Sequence, residues 1–231
     1  VIKMTSVSSF YSKWNAIDGR SADLSFLPPK LKKRLTPSIS MALEVAYQCI
    51  GDEHANIRSV YCTRYGEYAR TYQMLNTLIN DSMVSPASFS LSTHNVPLGI
   101  QAVNTGNTAA SSTVSSLGAT LENGFLEAAM MVQQYAEPIL MIYVDVPLPE
   151  SYGLQLTGKE KAMALGILLT PSGDNELSLS WSGRDALIAP PVGLSSSARA
   201  LMALLLSNED SASHNDGRLN WSWRTKNVCP S

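Results

Sequence analysis

The sequence predicts a single α/β domain in which helices pack against a largely buried sheet. Two observations carry this. Helix-spaced and strand-like segments alternate along most of the chain, which is the pattern of a layered α/β fold. Pro138 to Val146 is a continuous apolar run, as a central strand buried on both faces requires. With 231 residues, 45% of them hydrophobic, the chain can bury one sizeable core but not two large ones.

Residues 1–37 contain prolines and a basic cluster, Lys30, Lys32, Lys33 and Arg34, and are expected to be irregular. A helix follows from Ser38 to Ile50, with Ile39, Ala42, Leu43, Ala46 and Ile50 at helical spacing and Gly51 as its stop. Ile57 to Thr63 reads as a short buried strand, rich in β-branched and aromatic side chains. Tyr68 to Asn80 reads as a helix with Met74, Leu75, Leu78 and Ile79 on one face, broken by Ser85-Pro86. Phe89 to Val103 holds Asn95-Val-Pro-Leu-Gly99 and a further short helix, and Thr105 to Thr108 is a turn.

Ser111 to Ser116 alternates small polar and apolar groups and is expected to be a strand. Ala119 to Gln134 is a helix, apolar at Leu121, Phe125, Ala128, Ala129 and Val132. After the 138–146 strand, Pro147-Leu-Pro149 forms a linker. Ala162 to Thr170 and Leu177 to Trp181 are two more strands, joined by a turn at Pro171 to Asn175. Pro190-Pro191 opens a loop, Ser195-Ser-Ser197 caps a helix to about Ser207, and Leu219 to Thr225 is the last strand. The order is not a regular βαβαβ repeat, and there is neither GxGxxG nor GxxxxGK[ST]. No dinucleotide or phosphate-loop cofactor is predicted.

Composition excludes several classes. The net charge of −2, from 17 basic and 19 acidic residues, gives no field for nucleic acid. No apolar stretch approaches the roughly 18 residues of a membrane span, and Val1 to Ser6 has no signal-peptide layout. The first residue is not Met, which leaves room for residues before Val1. Charged residues are 16% of the chain, against about 25% in ordinary soluble domains; a surface partly covered by a partner is one reading, a sheet-rich core the other. Cys49, Cys62 and Cys229 are odd in number and widely spaced, which fits reduced thiols in a cytoplasm rather than a disulfide scaffold or a zinc site.

Candidate chemistry is sparse. His54, His94 and His214 stand apart, without HExxH or metal spacing, so no metal site is predicted. There is no GxSxG elbow, and the serines of Gly193 to Ala198 are explained by helix capping. Asp145 ends an apolar strand, where it serves either as a catalytic acid or as a cap for the Pro-rich loop that follows. No nucleophile–base pair can be assembled from these residues.

Asn95 to Ala129 resembles the nucleophile region of the β-ketoacyl synthases of the thiolase fold. In those enzymes an Asn, a short helix, a glycine turn and a strand of small residues lead to a Cys that opens a long buried helix. The same succession reads here as Asn95, Gly99, Gly106 and Ser111-Ser-Thr-Val-Ser-Ser116-Leu117, and then Gly118 where the Cys would stand. A helix N-terminus favours thiolate and supplies N–H groups to an oxyanion; Gly118 keeps that helix start but offers no nucleophile. The family's catalytic histidines belong to its second half, and a chain of this length accommodates only about one half of the duplicated fold. The resemblance therefore implies a truncated thiolase-like fold: a basic segment over 1–37, a thiolase-like half over 38–150 and a shortened C-terminal part over 151–231.

Lys30, Lys33 and Arg34-Leu35, with the helix through Met41, Ala46 and Gln48, resemble the basic segment and first helix of ketosynthases. There such residues dock the acidic acyl carrier protein, although a lysine run is also an ordinary solvated face. More narrowly, Leu27 to Leu35, Ser88-Phe-Ser-Leu-Ser-Thr-His-Asn95, Gly124-Phe-Leu-Glu-Ala128 and Tyr143-Val-Asp-Val-Pro-Leu-Pro149 resemble the small ketosynthase-like chain-length factors of aryl polyene gene clusters. Where such proteins often carry Gly-Glu-Asp-Thr, this chain has Gly118-Ala-Thr120. The resemblance implies a non-catalytic subunit, without cofactor or metal, that pairs with a Cys-bearing ketosynthase. Its dimer strand would be Ser111, Ser112, Thr113, Val114, Ser115 and Ser116. Phe89 falls at, or within one residue of, the position where a ketosynthase side chain reaches into the neighbour's acyl tunnel, with Thr93, His94, Thr113 and Met130 as its neighbours. Phe89 packing into its own core is the competing reading. A stand-alone acyl-thioester hydrolase or decarboxylase using Asp145 or His94, and a scaffold that only stabilises its partner, are the competing functions.

Overall fold

The computed structural model describes residues 5–51, 56–81, 83–148, 161–183, 196–207 and 209–227. Its centre is an eight-stranded sheet in the order β3-β2-β4-β5-β1-β6-β8-β7. The strands are β1 (Thr5–Asp18), β2 (Arg58–Thr63), β3 (Ser111–Val114), β4 (Ile139–Asp145), β5 (Met163–Thr170), β6 (Asn175–Gly183), β7 (Ser211–Asn215) and β8 (Leu219–Asn227). The helices are α1 (Pro29–Lys32), α2 (Pro37–Ile50), α3 (Tyr68–Asp81), α4 (Pro86–Ser90), α5 (Val96–Thr105), α6 (Thr120–Tyr135) and α7 (Ser196–Leu206). Pairing is parallel for β3-β2 and β2-β4 and antiparallel everywhere else.

The sheet is covered on both faces. On one side α2 lies over β1, β4 and β5 and buries Met41, Val45 and Ile50 against Tyr61, Leu140, Ile142 and Ala164. On the other, α6 and α7 bury Phe125, Val132 and Leu201 against Met141, Leu165, Leu179 and Trp223. The Phe125 ring meets Trp223 edge to face, with centroids 5.1 Å apart, a favoured aromatic geometry. All seven residues of β4 are buried, as its apolar run predicts. The mixed α/β architecture agrees with the predicted class.

The expectation of an irregular segment over 1–37 is overturned for its first part. Residues 5–18 form a long strand between β5 and β6. The alternation that marks a strand changes phase inside it: Val7 and Tyr11 face the α6 side, and after a register shift between Tyr11 and Lys13 the same face is taken by Trp14 and Ala16. Such a bulge inserts one residue and erases the period of two. Three further elements were not anticipated, the short helices α1, within the segment expected to be irregular, and α4, and the strand β7, a five-residue polar edge strand bonded only to β8. The predicted strand 111–116 stops at Val114. The predicted features at His54, Pro149, Pro190, Pro191, Ser195 and Cys229 lie outside the described residues.

Candidate functional site

The three parallel strands β3, β2 and β4 run side by side in the sheet. Their carboxyl ends therefore share one edge of the fold, where α/β sheets place ligands. Three groups meet there: Arg64 just after β2, Asp145 at the end of β4, and the turn from β3 into α6.

That turn holds Gly118, the residue expected from the sequence resemblance at the position of the ketosynthase cysteine. Ser115 Oγ donates to the Arg64 carbonyl (2.9 Å), and Ser116 N–H donates to Thr120 Oγ1 (2.9 Å), which donates in turn to the Leu117 carbonyl (2.8 Å). Leu117 to Ala119 form a single 3-10 turn, and Leu117 has φ +47°, a left-handed conformation that costs a leucine energy. Gly118 is exposed; a Cβ there would lie 3.5 Å from Asp216 Cβ, an ordinary contact. A side chain would fit at the head of α6, and none is present. The two cysteines among the described residues, Cys49 and Cys62, are buried, and burial pushes both thiols upward, that of Cys49 to about 12.

Asp145 is not poised as a free acid. It is 4% exposed and receives both Nε (2.9 Å) and Nη2 of Arg64, itself 6% exposed. A bidentate pair of this kind fixes both side chains.

The remaining predicted residues are spread over α1, α4, β3, α6 and the connection from α4 to α5. Phe89, on α4, is 65% exposed rather than packed in its own core. Met130, on α6, is 62% exposed, and Thr113 is half-buried on β3. Thr93 and His94 are exposed in the connection from α4 to α5, where Thr93 donates to Asn95 Oδ1 (2.7 Å). The His94 ring covers Gly66, where φ is +56° and an added Cβ would come within 2.8 Å of the ring, so that no side chain fits. A groove of about 590 Å³ runs between Leu31 of α1 and Leu91, Thr93, Val96, Ile100 and Val103. Thr93 lines it; Phe89, His94, Thr113 and Met130 do not. Lys30, Lys33 and Arg34 are exposed beside α1, and Arg70 of α3 donates to the Arg34 carbonyl, adding a fourth cation to that corner.

Strand β3 is an edge of the sheet, paired to β2 on one side only. An open edge of Ser111, Ser112, Thr113 and Val114 is a template for another chain. Ser115 and Ser116, read as part of that strand, belong to the turn and spend hydrogen bonds on it.

One residue was missed by the sequence reading. Glu122, in the first turn of α6, is fully buried and accepts a short hydrogen bond from Ser197 of α7, while its Oε2 has no partner. Burial pushes its carboxyl up to about 7, against the opposing pull of Ser197. The signal was present: Glu122 shares helical spacing with Phe125, Ala129 and Val132, which places a carboxyl on the buried stripe. Near it Asp216 is held below the ordinary carboxylate range. Burial works against this, but the Leu219 N–H (2.8 Å), the Trp221 indole N–H (3.0 Å) and the Arg218 N–H (2.7 Å) outweigh it.

A folded-state value for Glu122 above the unfolded value near 4.5 means that its contribution to stability is complete below pH 4.5 or so and is lost as pH rises through about 7. Glu122→Gln keeps an acceptor for Ser197 and removes the titration. Urea unfolding at pH 5 and pH 8 is expected to show a fall in stability for the wild type that exceeds that of Glu122→Gln by roughly 3 kcal/mol. Parallel pH profiles would mean that Glu122 ionises like a solvated carboxyl.

Among the described residues no group of three or more His, Cys, Asp or Glu side chains could hold a metal ion, and no helix is long and apolar enough to cross a membrane.

Known structures share this fold. The structure superposes on a chain from the complex of the ketosynthase ApeO with its chain length factor ApeC from Xenorhabdus doucetiae at TM-score 0.79 and 18% identity, covering 94% of this chain and 99% of that one. A chain of the ishigamide ketosynthase/chain length factor matches at TM-score 0.61 and 12% identity, over 85% of this chain and 73% of that one. A complex of a type II PKS acyl-carrier protein with its ketosynthase bound to the hexaketide (AntDE:AntF) matches at TM-score 0.59 and 11% identity, over 72% and 64%. At such identities the likeness is one of fold. No curated protein sequence matches the chain. The family described as beta-ketoacyl synthase, N-terminal domain, matches residues 10–224, nearly the whole sequence, and the chain belongs to that family.

Proposed function

We propose that this chain is the non-catalytic, chain-length-factor subunit of a ketosynthase pair. The observation that supports this reading is the strand–turn–helix from β3 through Leu117 to Ala119 into α6, with Gly118, which carries no side chain, at the position that the resemblance assigns to the nucleophile. The chain then contributes shape rather than chemistry. Strand β3 pairs across a pseudo-two-fold axis with its counterpart in a Cys-bearing ketosynthase. Phe89, exposed on a short helix, projects into the partner's acyl tunnel as floor or gate, with Thr93, His94, Thr113 and Met130 around it. Lys30, Lys33 and Arg34 steer an acidic acyl carrier protein. The product is a polyene of the aryl polyene type, and the assembly works in the cytoplasm.

The open edge of β3, the exposed position of Phe89 and the fold shared with chains of ketosynthase/chain length factor complexes support this reading. Co-expression with a Cys-bearing ketosynthase encoded beside it, followed by size-exclusion chromatography, is expected to yield a stable complex. Phe89→Ala is expected to leave the fold intact, since the side chain is largely solvent-exposed in the isolated chain, and to shift the product distribution of the complex toward longer chains. An intact complex with an unchanged distribution would reduce the subunit to a scaffold. Turnover of acyl-carrier protein by the isolated chain would make it an enzyme.

A further inference from the structure

Helix α3 carries an apolar stripe that the rest of the fold leaves uncovered. Met74, Leu75, Leu78 and Ile79 recur at the spacing of one helical face, yet none of the 14 residues of α3 is buried. Leu75 and Leu78 are each 48% exposed, and Ile79 is 79% exposed. Met83, just beyond the helix, is 76% exposed, and Phe89 on α4 continues the run. The element packed most extensively against α3 is the five-residue α4, which is too short to cover it. A helix of this length is marginal in water by itself, and helices in proteins are held mainly by burial of an apolar face. Large apolar side chains exposed together between positions 75 and 89 form the kind of patch that marks an interaction site.

Charge and position select the occupant. The only charged residues of α3 are Arg70 in its first turn and Asp81 at its end, and its polar flank is Gln73, Asn76, Thr77 and Asn80. A helix that lies on an anionic membrane carries lysines and arginines along its polar flank, and an acidic protein is met by cations; the stripe of α3 offers neither. An uncharged apolar centre with a neutral polar rim is the composition of a stable protein–protein interface. The patch also adjoins the open edge of the sheet. Helix α3 follows β2, the strand beside the edge strand β3, and Ser115, just after β3, donates to the carbonyl of Arg64, just before α3. A stable interface buries roughly 800 Å² on each partner. The four residues of β3 cannot supply that area, and the α3 stripe adds the apolar surface that they lack.

We infer that the apolar face of α3, formed by Leu75, Leu78 and Ile79 and extended by Met83, is a docking surface for the Cys-bearing ketosynthase. The inference rests on the pairing proposed above and adds where its hydrophobic stabilisation resides. Strand β3 sets the register of the pair through backbone hydrogen bonds. The α3 face contributes the buried apolar area, and its contact with α4 ties the position of Phe89 to the same docking event.

The test uses the full chain, alone and co-expressed with the Cys-bearing ketosynthase encoded beside it. Leu75→Glu/Ile79→Glu changes two exposed positions, so the melting temperature of the isolated chain is expected to stay unchanged. The same variant is expected to weaken the complex about a hundredfold, because two carboxylates would be desolvated without a partner. Hydrogen–deuterium exchange on the wild-type complex, which needs no variant, is expected to show new protection over both 73–81 and 111–114. Protection at 111–114 alone, or wild-type affinity in the folded double variant, would overturn the α3 surface and leave the pairing standing. Absence of a wild-type complex would overturn both. Self-association of the isolated chain, or its sedimentation with phosphatidylglycerol vesicles, that the double variant abolishes while the complex keeps its affinity would assign the face to a second copy or to a membrane instead.

Discussion

Gly124→Ala is expected to destabilise the chain by about 3 kcal/mol, although it adds only a methyl group to a helix and improves helix propensity. The reason is the approach of α6 to β2. A Cβ at position 124 would lie 2.0 Å from Cys62 Sγ and 3.2 Å from Cys62 Cβ, and Cys62 is fully buried. The sulfur must turn away into a core already filled by Val60, Phe125, Ala128 and Met141, or α6 must lift from the sheet. Native interiors have no slack for either. Cys62→Ala removes the sulfur and leaves only the 3.2 Å contact, so the double variant Cys62→Ala/Gly124→Ala is expected to recover most of the loss. Urea unfolding of the four proteins in a double-mutant cycle measures this directly. Additive losses would place the cost elsewhere than the Gly124–Cys62 contact. The consequence reaches the turn at Gly118, because the same helix follows directly on that turn and carries Glu122 at its start.

The second large effect concerns Asp145. Asp145→Leu is expected to cost about 3–5 kcal/mol, since it leaves the Arg64 guanidinium buried without its counter-ion. The double replacement Arg64→Met/Asp145→Leu is expected to return to within about 2 kcal/mol of the wild type, because a buried pair contributes little beyond an apolar pair of similar volume. Arg64 Nη1 already lacks a partner, which weakens the pair further relative to an apolar replacement. Thermal unfolding of the three proteins decides the matter. If Asp145→Leu melts with the wild type, the carboxylate is not the structural counter-ion of Arg64, and a catalytic acid at the end of β4 regains its appeal.

How far the fold was legible depended on the range over which each signal acts. Helices α2, α3 and α6 and strands β2, β4 and β5 were readable within a residue or two, because helical spacing and continuous apolar runs are properties of a dozen neighbouring residues. The first strand was not. Its serines and lysine are poor strand formers, and the bulge between Tyr11 and Lys13 shifts its period. Its place between β5 and β6 follows from pairing with residues far away in the chain, Asp18 with Met163 and Thr5 with Trp181 at the two ends, which no local window contains. The turn at Leu117 was located from neighbouring motifs, but its left-handed backbone was invisible, since leucine is among the residues least expected there.

The same division holds for the site. The glycine just before α6 is a matter of residue identity, and the sequence alone determined it. The exposure of Phe89, the open edge of β3, the binding of Asp145 by Arg64 and the burial of Glu122 against Ser197 join residues between 50 and 81 positions apart or depend on what covers them. Only the tertiary structure decided those. A carboxyl's ionisation, an edge's freedom to pair and a helix face's exposure are set by which distant groups fold over a residue, and that is a property of packing rather than of the residue itself.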